Sequence, residues 1–174
     1  MKSNQYFHRL TIKQILSVSG VMLSFAVPMN ADAGSTNGSM GASATVNALC
    51  QTVSASTLAF GTYDPTSNSH NTSSTTISVS CTNGTSPTIS FNAGSTNGAT
   101  TAQRLLTNGT STLNYNIYDS SSYLQELDAT HTLSVTGTGL SNTVNVTAYG
   151  KIPKNQMDMT TGTYTDTVTV TVSY

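Results

Sequence analysis

The stretch that most constrains this chain is its last. From Tyr164 onward the sequence alternates, with Val168, Val170, Val172 and Tyr174 on one face and threonine or serine between them. Period-2 patterning built from β-branched residues specifies a strand with one dry face. The sequence stops at Tyr174, inside the pattern, so no later segment turns back to pair with this strand. A long apolar strand with a free edge is a template for pairing with another chain. The expectation is that this chain polymerises through the vacancy beside its last strand.

The other end reads as an export signal over residues 1–33. Lys2, Arg9 and Lys13 form a basic head, and Ile15 to Val27 is a 13-residue apolar run. Ala31, Asp32 and Ala33 close it as an A-x-A cleavage site before Gly34. The apolar run is short of the ~20 residues needed to cross a bilayer. The expected mature chain is therefore exported to the periplasm, soluble and one domain in size.

Once the signal is removed, Arg104, Lys151 and Lys154 remain against six acids, a net charge of −3 with no basic patch. Nucleic acid would find no electrostatic footing on such a surface. Cys50 and Cys81 are the only cysteines. An even count in an oxidising compartment reads as a disulfide. Closing a loop of about 30 residues contributes roughly 3–4 kcal/mol on the chain-entropy estimate.

Between the two ends, short apolar alternations are separated by turn dipeptides. Residues 34–39 form a flexible leader. Met40, Ala42, Ala44, Val46 and Ala48 then alternate with small polar residues just before Cys50. Further strands are expected at Val53 with Leu58–Tyr63, at Ile77, Val79 and Cys81, and at Ile89, Phe91 and Ala93. Others are expected around Arg104–Leu106, at Leu113, Tyr115 and Ile117, at Leu133 and Val135, and at Val144–Ala148. Residues 66–76, 94–101, 120–131 and 154–162 read as loops, and Asn83-Gly84 and Asn108-Gly109 as turns. No segment outside the signal sustains a 3.6 period. About seven short strands spaced by such turns predict an all-β sandwich. With no tryptophan in the sequence, Phe60, Phe91, Tyr115, Tyr149 and Tyr164 are the expected aromatic core.

No catalytic constellation can be built from these residues. His70 and His131 fall in polar loops, and Glu126 and Asp128 lack the apolar surroundings that tune a general acid. No serine lies in a G-x-S-x-G context. The loop Gly94–Gly98 is not followed by the lysine of a phosphate loop. Asp64, Asp119 and Asp158 are not at EF-hand spacing, and two cysteines without histidine partners do not make a zinc site. The reading is a non-enzyme without cofactor or metal.

Taken together, several motifs resemble one family. Cys50 follows an alternating leader and precedes Leu58-x-Phe60-Gly61-x-Tyr63; Ile77-x-Val79-x-Cys81, Arg104 and Tyr115-x-Ile117-Tyr118 come next. Tyr149-Gly150-x-Ile152-Pro153 and Gly162-x-Tyr164-x-Asp166-Thr167-Val168-x-Val170-x-Val172-x-Tyr174 close the chain. Together they resemble the spore coat protein U domain family, the archaic chaperone–usher pilin subunits, over residues 40–174. Where that family carries a Trp-Gly element, this sequence has Tyr123-Leu124-Gln125-Glu126.

The resemblance implies an incomplete immunoglobulin-like sandwich at residues 49–174 that lacks its final strand and is completed by a donor strand. Residues 34–48 would be the extension carrying that strand, at Met40, Ala42, Ala44, Val46 and Ala48. Tyr164, Val168, Val170, Val172 and Tyr174 would form the acceptor groove and the chaperone contact. Cys50–Cys81 would tie the first two strands. The implied partners are a periplasmic chaperone, an outer-membrane usher, and other copies or other pilin subunits. The implied destination is a surface pilus used for adhesion and biofilm formation. The small donor side chains call for shallow acceptor pockets.

Two other readings compete. One is a secreted surface or coat protein whose N-terminal strand folds onto its own groove and stays monomeric. The other is a carbohydrate-binding tip adhesin, a role that normally requires an extra receptor domain ahead of the pilin domain, where 16 residues separate Ala33 from Cys50.

Overall fold

The computed structural model describes residues 33–174, the side chains of Thr52 and Val53 excepted. The chain divides into two units, Met1–Ser43 and Ala44–Tyr174. In the first, residues 33–43 are exposed and outside any strand. The export signal expected at residues 1–33 lies, Ala33 apart, outside the described residues.

The second unit is all β among its described residues. Its strands are β1 (Cys50–Ala55), β2 (Asn71–Cys81), β3 (Thr88–Phe91), β4 (Arg104–Thr107), β5 (Thr112–Tyr118), β6 (Leu133–Ser134), β7 (Val144–Ile152) and β8 (Val170–Ser173). One sheet has the order β1-β2-β7-β5-β4 and the other β6-β3-β8, with every pairing antiparallel. The longest ladder joins β2 to β7, from Asn71 opposite Ile152 to Val79 opposite Val144. Cys50 lies opposite Cys81 in the β1–β2 ladder, and the two form a disulfide.

The core fills the space between the sheets. Ile77 and Val79 from β2, Ile89 and Phe91 from β3, and Leu113, Tyr115 and Ile117 from β5 are its centre. Ala148 and Ile152 from β7, with Leu127 and Leu133, complete it. Within β2, β3 and β5 these residues sit two apart and in β7 four apart, so the pleat sends those of each strand to one face. Each large apolar side chain buried here contributes about 1.5–3 kcal/mol.

Four expectations are corrected. Leu58–Tyr63 is not a strand, because its carbonyls are taken by side chains of β2 rather than by a main-chain ladder. Ser73 Oγ donates to Ala59 O at 2.6 Å and Asn71 Nδ2 to Thr62 O at 3.0 Å; just before the segment, Thr75 Oγ1 likewise donates to Ser56 O. The polar run expected as a loop up to Thr76 is instead strand from Asn71, its threonines and serines paired main chain to main chain with β7. The alternation expected to form one strand from Tyr164 does so only over Val170–Ser173; before that, Thr165 alone bridges to Thr107. Tyr149 is not a core residue: its ring meets the edge of Tyr123 near the surface, 6.5 Å between centroids. Tyr123 itself has a φ of 55°, a left-handed conformation unusual for a large side chain.

Candidate functional site

The two sheets do not close on each other at one side. Among the described residues β1 pairs only with β2, and β8 only with β3. Between the end of β1 and the approach to β8 lies an open groove of about 350 Å³. One lip runs from Ala55 to Phe60, and the other from Asp166 to Val170. Its floor is core: Ile77, Phe91, Leu106, Tyr115 and Ile117. An apolar floor reached from solvent between two unpaired edges has the geometry that an extended peptide could fill with both main-chain hydrogen bonds and side-chain burial.

Each lip is held by specific residues. Leu58 and Phe60 can lie on the sheet because Gly150 of β7 has no side chain. A Cβ there would come within 2.6 Å of Leu58 Cδ2 and 2.7 Å of Phe60 Cζ. Phe60 then meets Tyr115 edge to face, 5.9 Å between centroids. Tyr63 pins the end of this lip by donating from its hydroxyl to Pro153 O at 3.0 Å and accepting from Gln156 N at 3.1 Å.

The opposite lip is held by Asp166. Its Oδ2 accepts from the Tyr115 hydroxyl at 2.7 Å, and its Oδ1 from Ser95 N at 2.8 Å and Ser95 Oγ at 3.1 Å. Thr96 N and Oγ1 add bonds at 3.3 Å each. Gly94, at φ 94°, brings this loop so close that a Cβ would overlap the carboxylate. Burial works to raise the Asp166 carboxyl, but the hydrogen bonds from Tyr115 and Ser95 outweigh it and hold the group below the usual carboxylate range. Burial, and then the bond to Asp166, push the Tyr115 phenol well above its ordinary value.

Arg104 lies beneath the floor and is completely buried. It bonds no carboxylate. Nε donates to Asn92 O at 2.9 Å; Nη1 donates to Thr101 O at 3.2 Å and to Asn116 Oδ1; Nη2 donates to Phe91 O at 3.3 Å and Leu127 O at 2.7 Å. All five donors are used, as burial of a guanidinium requires. Burial lowers its pKa. By gripping the end of β3, the 101 turn, β5 and the 127 loop, it ties the second sheet to the first under the groove.

Of the residues expected at the acceptor groove, Val168 and Val170 line the cavity. Val172 pairs opposite Ile89, Tyr164 turns its hydroxyl to Thr160 O at 2.8 Å, and Tyr174 is 59 % exposed. Leu58, Phe60, Leu106 and Asp166 are groove residues that the sequence reading did not assign there. The Leu58-x-Phe60 alternation was the available signal for the first two. The expected donor positions are exposed: Met40 by 92 % and Val46 by 85 %, and Ala42, Ala44 and Ala48 likewise. Among the described residues no group of three or more His, Cys, Asp or Glu comes together to hold a metal.

Two facing antiparallel sheets with one open side make this an all-β sandwich of the chaperone–usher pilin kind. The profile of the Spore Coat Protein U domain matches residues 36–171, and the chain belongs to that family. Among solved structures it is similar to the crystal structure of the CsuC–CsuE chaperone–tip adhesion subunit pre-assembly complex from archaic chaperone–usher Csu pili of Acinetobacter baumannii. Identity is 26 % and the TM-score 0.52. The match covers 75 % of this chain and 40 % of that chain, well under half of the latter's length. No curated protein matches.

Proposed function

We propose that this protein is a structural, non-catalytic subunit of a surface pilus, assembled by a chaperone–usher pathway through exchange of donor strands. The observation that carries this reading is the open apolar groove between β1 and β8, in a chain whose alternating stretch Met40–Ala48 is exposed. In this reading the domain at residues 49–174 accepts a strand, and the extension at 34–48 supplies one to the next subunit. Before assembly, a periplasmic chaperone fills the groove, and an outer-membrane usher exchanges its strand for the extension of another subunit. The Csu neighbour, a complex of a chaperone with a tip adhesion subunit, favours the chaperone step. Export through residues 1–33 to the cell surface, and a role in attachment and biofilm, belong to the same proposal.

The energetics are shared between backbone and side chains. Met40 and Val46 would contribute about 1.5–3 kcal/mol each on burial, and the alanines little. Some eight main-chain hydrogen bonds at about 1 kcal/mol each would match them.

The self-complemented coat protein is the second reading. The exposure of Val46 argues against it, since a strand folded onto its own groove would bury that side chain. The test is gel electrophoresis, unboiled against boiled, of the protein secreted with its chaperone and usher, beside a version starting at Leu49. A ladder of heat-sensitive multimers that needs residues 34–48 is expected. A single monomer band from a chain that folds without any chaperone would sink the proposal.

A further inference from the structure

We propose that Asn97 is a site of spontaneous deamidation, left open by the fold while Asn108 and, in part, Asn83 are shielded. All three precede glycine: Asn83-Gly84, Asn97-Gly98 and Asn108-Gly109. With no Cβ on the following residue, the glycine nitrogen can reach the asparagine side chain. That nitrogen attacks Asn97 Cγ after losing its proton to base; a C–N bond forms and ammonia leaves. Water then opens the cyclic imide at either carbonyl, giving aspartate or isoaspartate. The three sites share this local chemistry, so only the fold can rank them.

The fold ranks them through hydrogen bonds that the reaction must break. Asn108 is fully engaged: Oδ1 accepts from Thr110 N at 3.0 Å and Ser111 N at 2.8 Å, and Nδ2 donates to Thr160 Oγ1 at 2.9 Å. Its attacking partner, Gly109 N, is itself bound to Thr107 Oγ1 at 3.0 Å. At Asn83 the carboxamide has no hydrogen-bond partner among the described residues, but Gly84 N donates to Gly137 O at 3.0 Å. Asn97 is exposed, and among the described residues neither its carboxamide nor Gly98 N has a hydrogen-bond partner. Its turn is closed only by Ala99 N donating to Thr96 O at 3.1 Å.

The consequence reaches the groove. Asn97 shares a polar cavity of about 380 Å³ with Ser95, Thr96 and Asp166. Conversion places a second carboxylate on the loop whose amides and hydroxyls hold the Asp166 charge. Isoaspartate also adds a backbone carbon directly after that clasp. Both changes loosen the lip carrying Val168 and Val170, so conversion would age the subunit at the wall of its own groove.

The test is peptide mapping by mass spectrometry of the full chain, purified from the exported fraction and incubated at pH 8, with isoaspartyl methyltransferase labelling. Asn37-Gly38, exposed in the leader, is the internal unshielded reference. Conversion at Asn97 is expected to keep pace with Asn37. It should exceed Asn108 by about tenfold or more, the factor imposed by breaking two or more ordinary hydrogen bonds, with Asn83 between them. In urea the sites should converge. A native order that groups Asn97 with Asn108, or one that persists after unfolding, overturns the proposal.

Discussion

Asp166 and Arg104 solve the same problem at opposite signs: a charge held near or within an apolar core without an ion-pair partner. Arg104 does so with five neutral acceptors, four of them backbone carbonyls. Substituting Arg104→Met takes the side-chain donor away from the Phe91, Asn92 and Leu127 carbonyls, and should cost roughly 3–5 kcal/mol at about 1–3 kcal/mol per buried group, read as a fall in the urea midpoint. Asp166 depends on Tyr115, Ser95 and Thr96. Its carboxyl is depressed in the folded state, so its stabilisation is fully present above about pH 3.8, its ordinary value, and lost as pH falls through the depressed one. The protein should therefore weaken more steeply between pH 5 and 2 (roughly the window of a depressed carboxylate) than Asp166→Asn, compared by urea melts across that range. Equal slopes would show that the clasp does not carry the acid dependence. Gly94→Ala should cost about 1–3 kcal/mol, from left-handed strain and overlap with the same carboxylate.

At the scale of elements, the segment Leu58–Tyr63 and the last strand decide what the molecule can do. Neither is a regular strand along its whole length. Leu58-x-Phe60 alternates like one, yet side chains of Ser73 and Asn71 take the Ala59 and Thr62 carbonyls, so it forms a lip rather than a sheet member. No periodicity argument reveals this, because it depends on which groups stand across from it. Val170→Asp should spare export while abolishing capture of an incoming strand. Val46→Asp should abolish donation but leave acceptance intact. Mixing each variant with wild-type subunits, and reading the multimer ladder, separates the two; an unaltered ladder from Val46→Asp would remove the donor assignment.

For the whole molecule, the open side means that the sandwich is short of partners for β1 and β8. A variant carrying Gly34–Ala48 appended after Tyr174 through a flexible linker should fill its own groove. It is expected to stay monomeric, to need no chaperone and to melt well above the unassembled subunit. Reduction of Cys50–Cys81, or Cys50→Ser with Cys81→Ser, should lower that stability by about 3–4 kcal/mol. The disulfide staples β1 at its start, so its loss should also loosen the Ala55–Phe60 lip.

The sequence by itself determined the all-β class, the buried face of β3 and of β5, and the pairing of its only cysteines. These are local or forced: side-chain period, turn dipeptides and a single possible disulfide. Leu113, Tyr115 and Ile117 could be read as core from their spacing alone. Only the tertiary structure decided that Asn71–Thr76 is strand, since serine and threonine are neutral until a neighbour such as β7 offers a ladder. It alone placed Gly150 under Leu58 and Phe60, joined Asp166 to Ser95 and Tyr115, and gave Arg104 its carbonyls. Those contacts link residues that are distant in the chain, and the groove exists only where two such edges come to face each other.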